Sequence, residues 1–194
     1  MRSFRFSFLS FAVMLFAALA LTGCFAKQDV RLLYNTQALE AAPSATAPRI
    51  VVVQFDDTRN TPHIGVRKDG TAFDTSSSVA GWATQAMADE LARRGAQVSV
   101  ALSMAQAQLN QPQYIVGGTV ERAWLTEKGM TSYQAEIRVQ TRLISKGQSP
   151  VTRTFTAQQE KTGLPGMKLA EDTLSGALAD ALSGAASAIL GNLR

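Results

Sequence analysis

Hydrophobic and polar residues alternate with a period of two over residues 114–160 of the chain, and with a helical period before and after that stretch. From Ser132 to Ile144 the alternation is unbroken. Tyr133, Ala135, Ile137, Val139, Thr141 and Leu143 fall on one side, and Gln134, Glu136, Arg138, Gln140 and Arg142 on the other. That pattern predicts a half-buried antiparallel strand with a wet outer face. Residues 114–125 alternate before it, with Tyr114, Val116, Val120 and Trp124 assigned to one face. Residues 151–160 return after it, with Val151, Phe155 and Ala157 turned inward. Turn sequences at Glu127-Lys128-Gly129 and at residues 145–150 separate the three, so a three-strand antiparallel meander is expected.

Two stretches carry the helical spacing. Val79, Trp82, Ala83, Ala86, Met87, Glu90 and Leu91 follow Ser77 and Ser78, either of which can cap a helix start. Arg93-Arg94-Gly95 closes that helix with charge and a C-cap glycine. Lys168 to Leu193 reads as a long helix with the stripe Leu174, Leu178, Ala181, Ala185 and Ile189. Arg49 to Phe55 is a continuous β-branched run, as in a strand covered on both faces. Residues 96–102 predict a second core strand, and residues 103–109 a brief helix. Asp29 to Tyr34 is strand-like and is expected at a sheet edge. Residues 35–48, rich in Ala, Pro, Ser and Thr, read as a linker in which Pro43 and Pro48 oppose helix. The fold class expected from this order is α+β, a two-layer sandwich of a mixed sheet with helices packed on one face.

The first 24 residues are patterned differently. Arg2 and Arg5 precede Phe6 to Leu21, an almost unbroken apolar run. A basic head, an apolar middle and a small-residue exit are the layout of a secretory signal. As a helix the run spans about 24 Å at 1.5 Å per residue, short of a ~30 Å hydrocarbon core. Its exit, Leu21-Thr22-Gly23-Cys24, resembles the bacterial lipobox and holds the chain's single cysteine. Small residues at Thr22 and Gly23 fit a peptidase, and a thiolate at Cys24 takes up a diacylglycerol. The resemblance implies cleavage before Cys24 and a thioether there, which also removes the lone thiol from redox chemistry. Two or more acyl chains then hold a protein durably to a bilayer, at about 0.8 kcal/mol per buried CH₂. Phe25, where an Asp would retain enterobacterial lipoproteins in the inner membrane, implies outer-membrane export with the domain facing the periplasm. The organisation expected is a signal peptide at 1–23, a lipid anchor, edge strand and linker at 24–48, and one periplasmic α+β domain at 49–194.

Removing residues 1–23 from the 194 leaves 171, enough for one domain with its own core. The basic count falls from 19 to 17 with Arg2 and Arg5, against 15 acids, for a net charge of about +2. The basic residues are scattered, with no cluster beyond Arg93-Arg94, which argues against a nucleic-acid partner.

Candidate chemistry is thin. Asp56-Asp57, with Arg59 and His63 close in sequence, is the one constellation that invites metal or acid–base work. Neighbours in a strand point to opposite faces, however, so the two carboxylates are expected to diverge, with Arg59 paired to one of them. No second His or Cys completes an N/S ligand set, so neither a metal nor another cofactor is expected. No G-x-S-x-G is present, and Val116-Gly117-Gly118 lacks the phosphate-loop pattern. Trp82 and Trp124 are candidates to line an apolar groove, with core packing the commoner fate of such rings. Gly176 and Gly184 on the last helix leave a small-residue surface for close packing or for a partner.

The lipobox, Val51–Arg59 (VVVQFDDTR), residues 130–144 (MTSYQAEIRVQTRLI), residues 151–163 (VTRTFTAQQEKTG) and residues 170–183 (AEDTLSGALADALS) together resemble the small YajG-type envelope lipoproteins. A looser likeness, mainly in residues 49–57, is to the auxiliary lipoproteins of lipid-transport ABC systems and to the curli-secretion lipoprotein. The resemblance implies a non-enzymatic, lipid-anchored domain that docks another envelope component. The alternative it leaves open is an auxiliary lipoprotein of a lipid-transport system, with a lipid or other apolar ligand. Cys24 is the only functional residue it carries over.

Overall fold

A computed structural model describes residues 29–35, 42, 44, 46–109 and 111–193; Cys24 and the lipobox residues Leu21, Thr22 and Gly23 lie outside them. The elements, in chain order, are β1 (Arg49–Val53), β2 (Asp56–Asp57), β3 (Gly65–Val66), β4 (Ala72–Phe73), α1 (Val79–Arg93), β5 (Gln97–Ala101), α2 (Met104–Gln108), β6 (Tyr114–Gly129), β7 (Ser132–Ser145), β8 (Val151–Thr162) and α3 (Met167–Gly191). This is an α+β fold on a mixed eight-stranded sheet.

The long β6 organises the sheet. One edge pairs antiparallel with β7, which pairs antiparallel with β8. Along the other edge, three short strands follow one another in parallel. β1 lies against Tyr114–Val116, β2 against Thr119-Val120 and β3 against Leu125-Thr126. β5 adds outside β1 in parallel, and β4 closes a hairpin on β3. β5 is therefore an edge strand, not the expected core strand. Its run is short, and the chain reaches it only after α1 has crossed over the sheet.

Ser78 caps α1, its Oγ accepting from the Gly81 N–H at 3.0 Å. The helix stops at Arg94, and Gly95 follows with φ +90°, the left-handed turn that glycine takes at least cost. Ser103 caps α2 in the same way, through the Gln106 N–H. α3 is long and apolar enough to cross a membrane, yet Leu174, Leu178 and Leu182 are fully buried within the core cluster. Each such leucine contributes about 1.5–3 kcal/mol by leaving water. α1 and α3 cover one face of the sheet, where Ile50, Val52, Val116, Val139 and Leu125 meet Met87, Leu91 and the α3 leucines. The five-residue α2 lies on the other face, where Ala107 packs with Val53, Ala101 and Ile115. Alternation along β1 makes this necessary, because Ile50 and Val52 point one way and Val51 and Val53 the other.

β7 buries Tyr133, Ala135, Ile137, Val139, Thr141 and Leu143, as its alternation predicts. On β8, Phe155 and Ala157 pack against the core, but Val151 is exposed at the outer end of the strand, beside the last turn of α3. Residues 29–35 form no ladder strand. A single backbone bond, from the Val30 N–H to the Asp74 carbonyl, joins them to the sheet region, and Val30 itself is buried in the core. The packed domain thus begins ahead of the expected boundary at residue 49.

Candidate functional site

β1 ends where its chain leaves the strand for α1's flank. The Phe55 N–H donates to Thr84 Oγ1 at 2.9 Å, and the Phe55 ring is buried beneath Gly118. A Cβ on Gly118 would stand 2.3 Å from the Gln140 carbonyl oxygen and 3.0 Å from that ring, so Val116-Gly117-Gly118 marks close packing, not a phosphate loop. Asp56 and Asp57 then pair with Thr119 and Val120 as β2, and both are exposed. As neighbours in a strand they diverge.

Arg59 resolves which of them is occupied. Its guanidinium grips Asp57 with two hydrogen bonds, Nε to Oδ1 at 2.9 Å and Nη2 to Oδ2 at 2.8 Å. Nη1 donates to the His63 carbonyl oxygen at 3.1 Å. The hydrogen bonds from Arg59 hold the Asp57 carboxyl below the usual range. His63 turns away, its Nδ1 against Asp74 Oδ1. The four residues thus pin the loop from Thr58 to Ile64 and do not converge on a reaction centre. Among the described residues, no group of three His, Cys, Asp or Glu is arranged to hold a metal ion.

The two tryptophans part company. Trp82 is buried in the core, and its Nε1–H donates to the Leu33 carbonyl oxygen at 3.0 Å. Trp124 sits on the other face of the sheet, opposite to the assignment made from strict alternation. The reason lies in the pairing: Val120 faces Val139 but Arg122 faces Arg138, so Glu121 is an extra residue in β6. One inserted residue reverses which side chains face the core. Val116 and Val120 point inward before it, and Ala123 and Leu125 after it. Trp124 therefore lines a cleft of about 320 Å³ with Arg59, Asn60, Thr61, Glu121 and Arg122. The Arg122 guanidinium lies 5.7 Å from the indole centroid and bonds Glu136 at 2.6 Å. This cleft mixes hydrogen-bonding and apolar walls with one aromatic surface, and Trp82 does not line it.

Gly176 and Gly184 face β8. Gly176 meets the Gln159 side chain and Gly184 the Phe155 ring. Their role is close helix–sheet packing.

Sequence reasoning passed over a buried ionic network. Glu90 is almost wholly buried on α1, held by Arg93 Nε at 3.0 Å and by Arg94 Nη2 at 3.1 Å. The Tyr34 hydroxyl donates to it at 3.1 Å. Arg94 Nη2 reaches across to Ser183 Oγ on α3 at 2.7 Å. Burial pushes the Glu90 carboxyl up, and the arginine hydrogen bonds outweigh it, leaving the group below its ordinary value. Burial and the Glu90 charge push the Tyr34 phenol up. At the other end of the same segment, Arg31 Nε bonds Glu171 Oε1 at 3.1 Å. The signal was legible in principle, since a carboxylate on an apolar stripe demands partners.

No family model matches the sequence, and no curated protein matches it. Solved structures match its fold. A Xanthomonas campestris protein of the family DUF330 is similar with a TM-score of 0.54 and 15% identity, over 77% of this chain and 89% of that one. A second structure, titled only as an uncharacterized protein, has a TM-score of 0.53 and 15% identity, over 83% and 97% of the two chains. Lipoprotein GNA1162 from Neisseria meningitidis is similar at a TM-score of 0.41 and 13% identity, over 75% and 99%. At these identities the likeness is one of fold.

Proposed function

We propose that the chain is a lipid-anchored protein of the bacterial envelope, without enzymatic activity, whose domain docks another envelope component from the periplasmic side. The anchor rests on the lipobox Leu21-Thr22-Gly23 before Cys24, and the outer-membrane address on Phe25. The YajG-type resemblance supports the same reading. The observation that carries the docking is the uncovered β5 margin. Among the described residues β5 pairs with β1 alone, and beyond it Leu102 and Leu109 are 75% and 78% exposed. Val100 is exposed beside them. A free strand edge bordered by large apolar side chains is the surface on which a partner strand or apolar segment is received.

A photo-crosslinking amino acid at Leu102, irradiated in cells, is expected to trap one envelope protein. With the probe kept at position 102, Leu109→Asp should abolish that product. A pattern no different from the same probe at Ser149 overturns the docking reading. Intact mass of the mature protein tests the anchor separately, with a start at Cys24 and the mass of acyl chains expected. The transport alternative, with a lipid or other apolar ligand in a cavity lined by Trp82 or Trp124, keeps only the cleft beside Trp124, since Trp82 lies in the core.

A further inference from the structure

We infer that the end of the domain bearing the β6–β7 hairpin lies against the lipid surface, with Met130 and Leu164 entering the acyl boundary. This rests on the lipid anchor at Cys24 proposed above.

The path of the chain fixes the end. Val30 is bonded to Asp74, and Arg31 to Glu171 near the start of α3. From there the segment runs toward Tyr34 and Glu90, in the C-terminal half of α1. Asp29 thus stands at the end holding the start of α3. Only residues 25–28 separate Asp29 from Cys24, and five extended steps span at most about 18 Å.

Three connections meet at this same end. The β3–β4 turn touches β6 through the Lys68 N–H and Glu127 Oε2, at 3.2 Å. The β6–β7 hairpin joins the β8–α3 connection through the Gly163 N–H and the Thr131 carbonyl, at 2.9 Å. Met130 and Leu164 each sit one residue from that last bond, and they are 76% and 89% exposed. Two large apolar side chains exposed on joined connections suit insertion into an apolar boundary at this end. Lys68 and Lys128 are exposed around them, and Lys168 is exposed with its Nζ 3.3 Å from Asp172 Oδ2. Their stems can lie along the acyl boundary while the ammonium groups reach phosphates. At the opposite end, the β7–β8 turn is Lys146-Gly147-Gln148-Ser149, with no large apolar side chain.

The test uses the full chain, processed in a bacterial host and returned to vesicles of phosphatidylethanolamine and phosphatidylglycerol. Leu164→Cys and Ser149→Cys are made singly and carry an environment-sensitive dye, since the thioether leaves the Cys24 sulfur unreactive. Intact mass is read first. With acyl mass present, the dye at 164 is expected to emit to the blue and to be quenched severalfold more by nitroxide-bearing acyl chains than the dye at 149. Equal quenching at the two positions, in lipidated protein, overturns the membrane contact and leaves the anchor standing. A dry but unquenched dye at 164 places it against protein, a second copy or a partner, and overturns the contact as well. A free thiol at residue 24 removes the anchor and this inference together.

Discussion

The Tyr34 hydroxyl donates a hydrogen bond to Glu90, joining the segment ahead of the linker to the buried flank of α1. Tyr34→Phe keeps the ring and removes the bond. Glu90 retains Arg93 and Arg94, so the expected loss is about 1–2 kcal/mol in the free energy of unfolding, read from urea denaturation. No loss would mean that the segment is not docked in solution.

Glu90 also sets a pH dependence. Its carboxyl is held below the ordinary value of 4.5, so the folded state binds the proton less readily than the unfolded state. Its contribution is complete above about pH 4.5 and is lost as the pH falls through the lower folded value. Glu90→Gln is expected to flatten the acid limb of a stability–pH curve below pH ~5, besides lowering the whole curve by stranding Arg93.

Gly117 and Gly118 are adjacent and should respond oppositely. Nothing lies within 4 Å of a Cβ on Gly117, and Gly117→Ala is expected to change stability by less than about 0.5 kcal/mol. Gly118→Ala drives a methyl into the Gln140 carbonyl and the Phe55 ring, at an expected cost of about 1–3 kcal/mol. Comparing denaturation midpoints of the two variants checks the register of β6.

Deleting Glu121 removes the extra residue of β6. The ladder then runs unbroken, with Val120 opposite Val139 and Arg122 opposite Arg138, and Ala123 and Leu125 keep their core face. The deletion is therefore expected to fold, at a cost below about 3 kcal/mol on denaturation, and Glu121→Ala should cost under about 1 kcal/mol.

The paired carboxylates are unequal. Asp57→Asn weakens a bidentate arginine bond that also ties down the His63 carbonyl, with an expected cost of about 1–2 kcal/mol. Asp56→Asn should fall within about 0.5 kcal/mol, and a thermal melt of each variant separates them.

Local pattern made several features readable and hid others. The alternation of β7 named its six buried residues because that strand pairs on both sides with no inserted residue in its own run. Ser78 and Gly95 announced the bounds of α1 through capping chemistry that acts within a few residues. The Asp57–Arg59 pairing was readable because it spans two positions. Trp124 was misassigned because a bulge is a property of two strands, and nothing in residues 114–125 alone marks Glu121 as the extra one. The edge position of β5 and the docking of residues 29–35 depend on contacts between distant parts of the chain. The partners of Glu90 came from Tyr34, 56 positions away, as well as from its own helix. Cys24 and the lipobox are features of sequence alone, outside the described residues.

The strap formed by residues 29–34 has a mechanical consequence. Val30, Arg31, Leu33 and Tyr34 are fastened to Asp74, Glu171, Trp82 and Glu90 in that order along the body. With the chain anchored at Cys24 as proposed, a pull on Asp29 from that end acts along the strap, so these fastenings share the load in shear and are not peeled off one by one. Tension on the tether is resisted by the whole attachment before it can reach the linker or the sheet.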